Sequence, residues 1–163
     1  MSQFFPFIFV LLWSSAFITT LPIVLNSDPF SALAFRFFFV AICFLIYSIV
    51  KKIKIKVNFR NLFNSFSTGI LFHGFYLGGV FYAIFVGLPT SIVALIVTLQ
   101  PILTNILAGY FLNEEVNIYQ WIGVVLGFTG AVMVIGFDIG STLPMKGLTA
   151  GVIALIAITT STI

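Results

Sequence analysis

Long apolar runs separated by short polar breaks cover most of the chain, and their lengths predict helices that cross a membrane. A helix that crosses about 30 Å of hydrocarbon needs roughly 20 mostly apolar residues. The predicted complete spans are residues 4–25, 30–50, 66–86, 90–112 and 119–137, and a shorter run covers 147–163. The pattern therefore predicts an all-α integral membrane protein with five complete transmembrane helices and a partial or short sixth.

The breaks between the runs contain residues that end helices. A polar turn at residues 26–29 separates the first two runs. Residues 61–113 contain no Lys, Arg, Asp or Glu, and this stretch is too long for a single crossing. We place a break at residues 87–89 because proline is tolerated at a helix start and disrupts a helix interior. Residues 138–146 are predicted to form an external loop.

The composition supports a lipid environment. The chain is 61% apolar and has seven Lys or Arg and four Asp or Glu among 163 residues, whereas a soluble domain has about 25% charged residues. Its mean hydropathy is +1.23. These values exclude a soluble enzyme, a disordered tail and a nucleic-acid binder, and they make the lipid bilayer the expected partner.

Five of the seven basic residues lie between Lys51 and Arg60, which indicates membrane topology. Short basic loops stay in the cytoplasm, so we predict a cytoplasmic N-terminus and a cytoplasmic link at residues 113–117. The expected location is the cell membrane, in a bacterium the inner membrane. A signal peptide is disfavoured because no Lys or Arg precedes Arg36.

Two GxxxG pairs are candidates for close helix contact. Gly74 and Gly78 lie in the third run, and Gly123 and Gly127 lie in the fifth. Small residues let helix backbones approach closely in a bilayer, where no hydrophobic force brings helices together. Packing within the bundle and a dimerisation face both fit this pattern.

Small and polar residues recur along the fourth run at intervals of three and four, which places them on one helix face. They are Ser91, Ala94, Thr98, Pro101, Asn105 and Ala108, with Gln100 and Thr104 beside them. Pro101 leaves a carbonyl near Val97 without its helical donor, which is tolerated only against protein or a water-filled cavity. The face is expected to point inward, either towards a cavity or towards neighbouring helices.

Two ionisable residues lie inside predicted spans. Arg36 is roughly 10 Å below the outer surface at 1.5 Å per residue, so it extends to the interface, forms a pair, or meets an anionic group of a solute. His73 either bonds to a neighbouring hydroxyl or relays protons. No Asp or Glu lies in a predicted span, so coupling through a membrane-embedded carboxylate has no candidate.

The residues give little support to other chemistry. Cys43 is the single cysteine, which excludes an intrachain disulfide and a multi-cysteine metal site. An intramembrane enzyme is disfavoured because the chain has one histidine, no acid within the bilayer and no GxSxG or HExxH motif. No catalytic residue, metal or cofactor is expected.

Several segments together resemble a known transporter repeat. The first run contains LWSSAF at residues 12–17, the second opens with PFSALAFRF at 29–37, and residues 87–136 combine a Pro-containing helix, a Glu in a short link and a Gln-Trp-x-Gly start of a Gly-rich helix. This pattern resembles the EamA domain of the drug/metabolite transporter superfamily. The similarity covers residues 4–136, or one five-helix repeat within a predicted domain of residues 1–137. Residues 147–163 resemble the start of a second repeat, so we expect the chain to be truncated.

The resemblance implies half of an inverted-repeat transporter, whose ten helices would enclose a path for small metabolites, amino acids among them. Glu114 matches the acid that the family has in the cytoplasmic link. Glu115 replaces a basic or neutral residue, and Ser14 and Asn113 replace common glycines.

We therefore predict a permease or exporter of small metabolites that works by alternating access. The predicted substrate-lining residues are Trp13, Ser14, Arg36, His73, Thr98, Gln100 and Asn105. The alternative is a half-length subunit that acts through helix assembly, either as a homodimer or with a separate second half. A non-functional gene remnant is a third interpretation.

Overall fold

All regular structure in the described part of the chain is helical. The computed structural model describes residues 4–53, 58–111, 117–135 and 143–163. The elements are α1 (Phe5–Asn26), α2 (Pro29–Val50), α3 (Phe59–Gly69), a π-helical segment (Ile70–Leu77), α4 (Gly78–Phe85), α5 (Thr90–Val97), α6 (Gln100–Phe111), α7 (Ile118–Ile135) and α8 (Met145–Thr162).

Five helical stretches are long and apolar enough to cross a membrane, and the predicted fold class is confirmed. They are Phe5–Asn26, Pro29–Val50, Phe59–Phe85, Thr90–Leu107 and Met145–Thr162. Helix α3, the π segment and α4 are thus parts of one span, and α5 and α6 are parts of another. Within α7, the stretch Ile118–Gly130 is apolar but shorter than those five.

Some of the sequence predictions concern residues outside the described ranges. These are the link residues Asn113, Glu114 and Glu115, the basic residues Lys54 and Lys56, and positions 138–142 of the predicted external loop.

The second span begins and ends with recognisable capping geometry. The Asp28 carboxylate accepts a hydrogen bond of 2.9 Å from the Ser31 amide, and Pro29 occupies the first turn, where its missing N–H costs nothing. At the other end Lys52 has φ 49°, and the Ile53 amide donates to the Ser48 carbonyl at 3.0 Å. This left-handed residue stops the helix and turns the chain towards the basic loop.

The fourth span is interrupted in its middle. Helix α5 ends at Val97, a turn covers Thr98 and Leu99, and α6 begins at Gln100. The Leu99 amide bonds to the Ile96 carbonyl at 3.1 Å, which tightens the backbone at the end of α5. Pro101 lies in the first turn of α6, a position that requires no amide hydrogen. A proline in this place divides the predicted continuous helix into two because it cannot donate to Val97.

Helix α8 is the most enclosed of the five candidate spans. In an apolar stretch of 18 residues from each span, 44% are buried in α8, against 6% in α2 and 11% in α1. It packs on the π segment and α4, and it also contacts α5 and α6. The core therefore forms around the contact between the third span and α8.

Small residues make that contact close. A Cβ added to Gly79 would lie 2.9 Å from the Ala150 carbonyl oxygen and 3.0 Å from the Ala154 Cβ. An added Cβ on Gly147 would lie 2.9 Å from the Leu88 Cβ, and one on Gly151 would lie 3.0 Å from Ile96 Cδ1. At Gly79 the missing side chain lets the backbones of the third span and α8 approach closely, and at Gly147 and Gly151 it leaves room for the side chains of Leu88 and Ile96.

Candidate substrate cavity

A cavity of about 1300 Å³ lies among α1, α5, α6 and α7. We call it the main cavity. Phe72 of the π segment and Ile158 of α8 also border it. Its wall is mostly apolar and aromatic, with a small number of amide and hydroxyl groups, which is the usual composition of a small-molecule site.

Five of the predicted lining residues border the main cavity. They are Trp13 and Ser14 of α1, Thr98 of the turn, and Gln100 and Asn105 of α6. The break in the fourth span contributes to this arrangement, because Thr98, Gln100 and Pro101 all border the cavity at the point where α5 gives way to α6.

The hydroxyl groups in the main cavity bond to their own helices. Ser14 Oγ donates to the Val10 carbonyl at 2.8 Å, and Thr98 Oγ1 donates to the Leu95 carbonyl at 2.7 Å. Each hydroxyl oxygen still has lone pairs with which to accept a bond. The side-chain amides of Gln100 and Asn105 make no hydrogen bond to another residue in the described ranges. The wall therefore carries polar groups that remain available to a solute.

Gln120 is a further lining residue, and it is absent from the predicted set. Its Oε1 accepts a hydrogen bond of 2.8 Å from the Asn117 amide, while Asn117 Oδ1 accepts one of 3.1 Å from the Tyr119 amide. Together these two bonds cap the first turn of α7, with Gln120 in the position that it has in a capping box. The Asn-x-x-Gln spacing was visible in the sequence as a helix start, but its position beside the cavity was not.

Phe9, Trp13 and Phe72 are aromatic residues of the wall, and they pack on one another or on Tyr76, which is not a lining residue. Trp13 lies parallel to Tyr76 with ring centroids 6.5 Å apart, and Phe9 lies 5.6 Å from Trp13. The Phe72 ring contacts Tyr76 at 5.3 Å. Tyr76 is buried, and it connects the first span to the π segment. No sequence signal indicated that Tyr76 connects these two elements, because the π turn shifts residues from the positions that an α-helical spacing predicts.

His73 lies in a different cavity. A second cavity of about 510 Å³ is lined by Asn64, Ser65, Thr68, Gly69, Phe72 and His73. The exposed His73 ring contacts Phe37 at 4.8 Å and Phe72 at 5.1 Å. Phe72 is the residue that borders both cavities.

Arg36 borders neither cavity and is exposed on α2. The described residues that line the two cavities therefore include one titratable side chain, His73, and no Lys, Arg, Asp or Glu. Within the described ranges, no group of three or more His, Cys, Asp or Glu side chains is placed to hold a metal ion.

The four predicted packing glycines have different surroundings. Gly78 is buried, and a Cβ added there would lie 3.6 Å from the Phe30 ring. A Cβ added to Gly74 would meet only Ile70 of its own span, at 3.9 Å. Gly123 and Gly127 border the main cavity, and no described atom lies within 4 Å of a Cβ added to either. Among the described glycines, the closest contacts are made by three outside the predicted set, Gly79, Gly147 and Gly151.

Comparison with known proteins identifies one similarity. The EamA-like transporter family matches residues 2–136. No curated protein and no solved structure matches the chain. The matched region includes every described residue of α1 to α7 and ends before α8.

Proposed function

Because the chain belongs to the EamA-like transporter family, whose members are membrane transporters of the drug/metabolite type and not enzymes, we propose that it moves small polar metabolites across a membrane. Amino acids are the substrate class that we favour, and the main cavity is the proposed binding site. Transport proceeds by alternating access, in which the cavity opens to one side of the membrane at a time. The multi-pass protein has a lipid bilayer as its environment.

The observation that supports this proposal is the set of polar groups in the main cavity. Amide side chains that hold helices together would bond across a helix contact, but Gln100 and Asn105 bond to no other described residue. Against lipid, such unsatisfied groups would be costly. A water-filled path that also admits a solute satisfies them.

The chemistry of the wall favours uncharged or zwitterionic solutes. No Lys, Arg, Asp or Glu is among the described lining residues, so a net charge on the solute would have no counter-charge there. Amide and hydroxyl groups bind the ammonium and carboxylate ends of an amino acid, and Trp13 and Phe17 offer contact to an apolar side chain. Neutral amino acids match this combination better than lysine or glutamate.

A transport assay on the full chain in liposomes tests the site. The probes are radiolabelled threonine and phenylalanine, with lysine and glutamate for comparison. Gln100→Leu and Asn105→Leu are expected to lower uptake about tenfold or more, because a hydrogen bond to a charged group contributes about 1.5–3 kcal/mol. Ile106→Leu is the matched control, since Ile106 is exposed on the same helix and does not line the cavity.

Two outcomes would change the proposal. Uptake that is unchanged in both amide variants, at equal amounts of inserted protein, would discard the site. Arg36→Gln is expected to have a smaller effect because Arg36 lies outside both cavities. If Arg36→Gln lowered uptake as much as the amide variants do, Arg36 would again be a candidate for contact with the substrate.

A second candidate function is a half-length subunit that assembles with another copy or with a separate second half. The feature that favours it is the open space beside Gly123 and Gly127 of α7, which another helix can occupy. In a Cys43→Ser background, Gly127→Cys is expected to form an intermolecular crosslink in membranes. Gly69→Cys, on a different helix, is the comparison, and equal crosslinking of both would argue against an interface at α7.

The basic loop supports a cytoplasmic N-terminus in the cell membrane, the bacterial inner membrane in a bacterial host. The described members of the run, Lys51, Lys52 and Arg60, are all exposed. A protease site inserted at residue 54 is expected to be cleaved in inside-out vesicles and protected in intact cells. The reverse result would invert the topology.

A further inference from the structure

The two cavities meet at one side chain, and this inference extends the proposed transport function. Phe72 borders the main cavity together with Trp13, Thr98 and Gln100, and it borders the second cavity together with Thr68 and His73. It is half-buried, unlike Phe81 of the same span, which is 3% exposed within the core. Phe72 therefore lies between two spaces and not inside the packed interior.

The second cavity has the character of a water-filled approach to the main cavity. Thr68 lies four residues after Asn64 and three after Ser65, so the three share one side of α3, and all three are exposed. Within a membrane span, such side chains are tolerated where they face water or protein. They lie on α3 between its first residue, Phe59, and Phe72, with which they line the second cavity.

The Phe72 ring is in contact with two neighbouring rings, and there is open space beside Gly69. The ring touches Tyr76 at 5.3 Å and His73 at 5.1 Å, and Tyr76 is itself fixed by its parallel contact with Trp13. Three residues earlier, Gly69 lines the second cavity, and no described atom lies within 4 Å of a Cβ added there. The ring has room to turn towards Gly69 without displacing the core.

The backbone at this position is also unusual. Phe72 lies in the π-helical segment Ile70–Leu77, and π turns are rare and frequently occur at functional sites. We propose that Phe72 is a gating residue: its ring separates the second cavity from the main cavity, and its movement towards Gly69 lets a neutral or zwitterionic solute pass.

Thiol accessibility tests this proposal independently of transport. In a Cys43→Ser background, Ala94→Cys places a probe in the main cavity and Thr68→Cys places one in the second cavity. A membrane-impermeant maleimide is applied to reconstituted full-length protein from each side in turn. From the side that carries the loop between α2 and α3, Thr68→Cys is expected to react quickly and Ala94→Cys slowly.

Phe72→Ala is expected to raise the labelling rate of Ala94→Cys from that side about tenfold, because removing the ring opens the passage. Phe75→Ala is the matched control, since Phe75 lies in the same π segment, is exposed and lines neither cavity. Phe72→Leu is expected to give an intermediate rate. Gly69→Leu fills the space into which the ring turns and is expected to slow both labelling and uptake.

The gate would be overturned if Ala94→Cys were labelled at the same rate with Phe72 intact, with Phe72→Ala and with Phe72→Leu. Fast labelling before any change at Phe72 would overturn it as well. Phe72→Leu and Gly69→Leu keep the test decisive if Phe72→Ala fails to insert. Labelling requires no solute movement, so it separates the gate from the proposed function. If Phe72→Ala raises the labelling rate in a protein that transports none of the amino acid probes, the gate is supported and the proposed function is refuted. If the protein transports the probes but the labelling rate does not change, the proposed function is supported and the gate is refuted.

Discussion

The third and fourth spans are both irregular beside the main cavity, but for different reasons. The fourth span, Thr90–Leu107, is divided by a turn next to Pro101, whose ring and missing amide hydrogen interrupt any helix. The third span, Phe59–Phe85, contains no proline, and its irregular part is the π segment that packs against α8. The break in the fourth span therefore follows from a residue in the local sequence, whereas the π segment of the third span coincides with a tertiary contact.

The largest expected effect comes from the contact between the third span and α8. Gly79→Ala would place a methyl group 2.9 Å from a backbone oxygen of Ala150, and overpacking of this kind costs about 1–3 kcal/mol. We expect a clear loss of thermal stability in detergent, measured by the fraction of protein that remains monodisperse after heating.

Gly74→Ala is the control on the same span. Its added methyl group would meet only Ile70 at 3.9 Å, so stability is expected to stay equal or to rise by about 0.4–1 kcal/mol. Equal destabilisation by both substitutions would show that the third span does not depend on close contact with α8.

The second largest expected effect is on uptake, when the break in the fourth span is removed. Pro101→Ala restores a donor for the Val97 carbonyl, so α5 and α6 are expected to join and to displace Thr98 and Gln100 from their positions at the cavity. Uptake should fall several-fold while thermal stability is kept or increased. Pro22→Ala is the control, because Pro22 lies inside α1 and does not line the cavity. Unchanged uptake in Pro101→Ala would mean that the break is not needed for transport.

The smallest effect is expected where the first span meets the π segment. Trp13→Leu removes a ring contact with Tyr76, and aromatic pairs contribute about 0.5–1.5 kcal/mol beyond the area they bury. A double-mutant cycle with Tyr76→Leu measures this coupling from the two single variants and the pair. A coupling energy of zero would show that the parallel rings contribute nothing to holding the π segment.

Sequence patterning was sufficient for the features that depend on residues near each other in the chain. The lengths of apolar runs predicted the all-helical membrane fold, and the spacing of Thr98, Pro101 and Asn105 placed them on one face. The structure finds these three residues at one cavity. For the glycines, spacing was a poor guide. Gly74 satisfies GxxxG but has open surroundings, whereas Gly79 lies against α8.

His73 and Arg36 show the limit for charged and titratable residues. Their depth in a span follows from counting residues, but the cavity that a side chain borders depends on how the helices rotate and tilt against each other. The structure places His73 in the second cavity and Arg36 in neither.

The amino-acid sequence alone determined that the chain is helical, that it crosses a membrane several times, and that Pro101 leaves a carbonyl of the fourth span without its helical donor. Apolar run length and the covalent geometry of proline act locally, so no folded neighbour is needed to know them. Only the tertiary structure decided that α8 is the central helix, that a π segment carries Phe72 and Tyr76, and that two cavities meet at one ring. These features arise from contacts between residues far apart in the chain, and helix periodicity within one span contains no information about the rotation of the next.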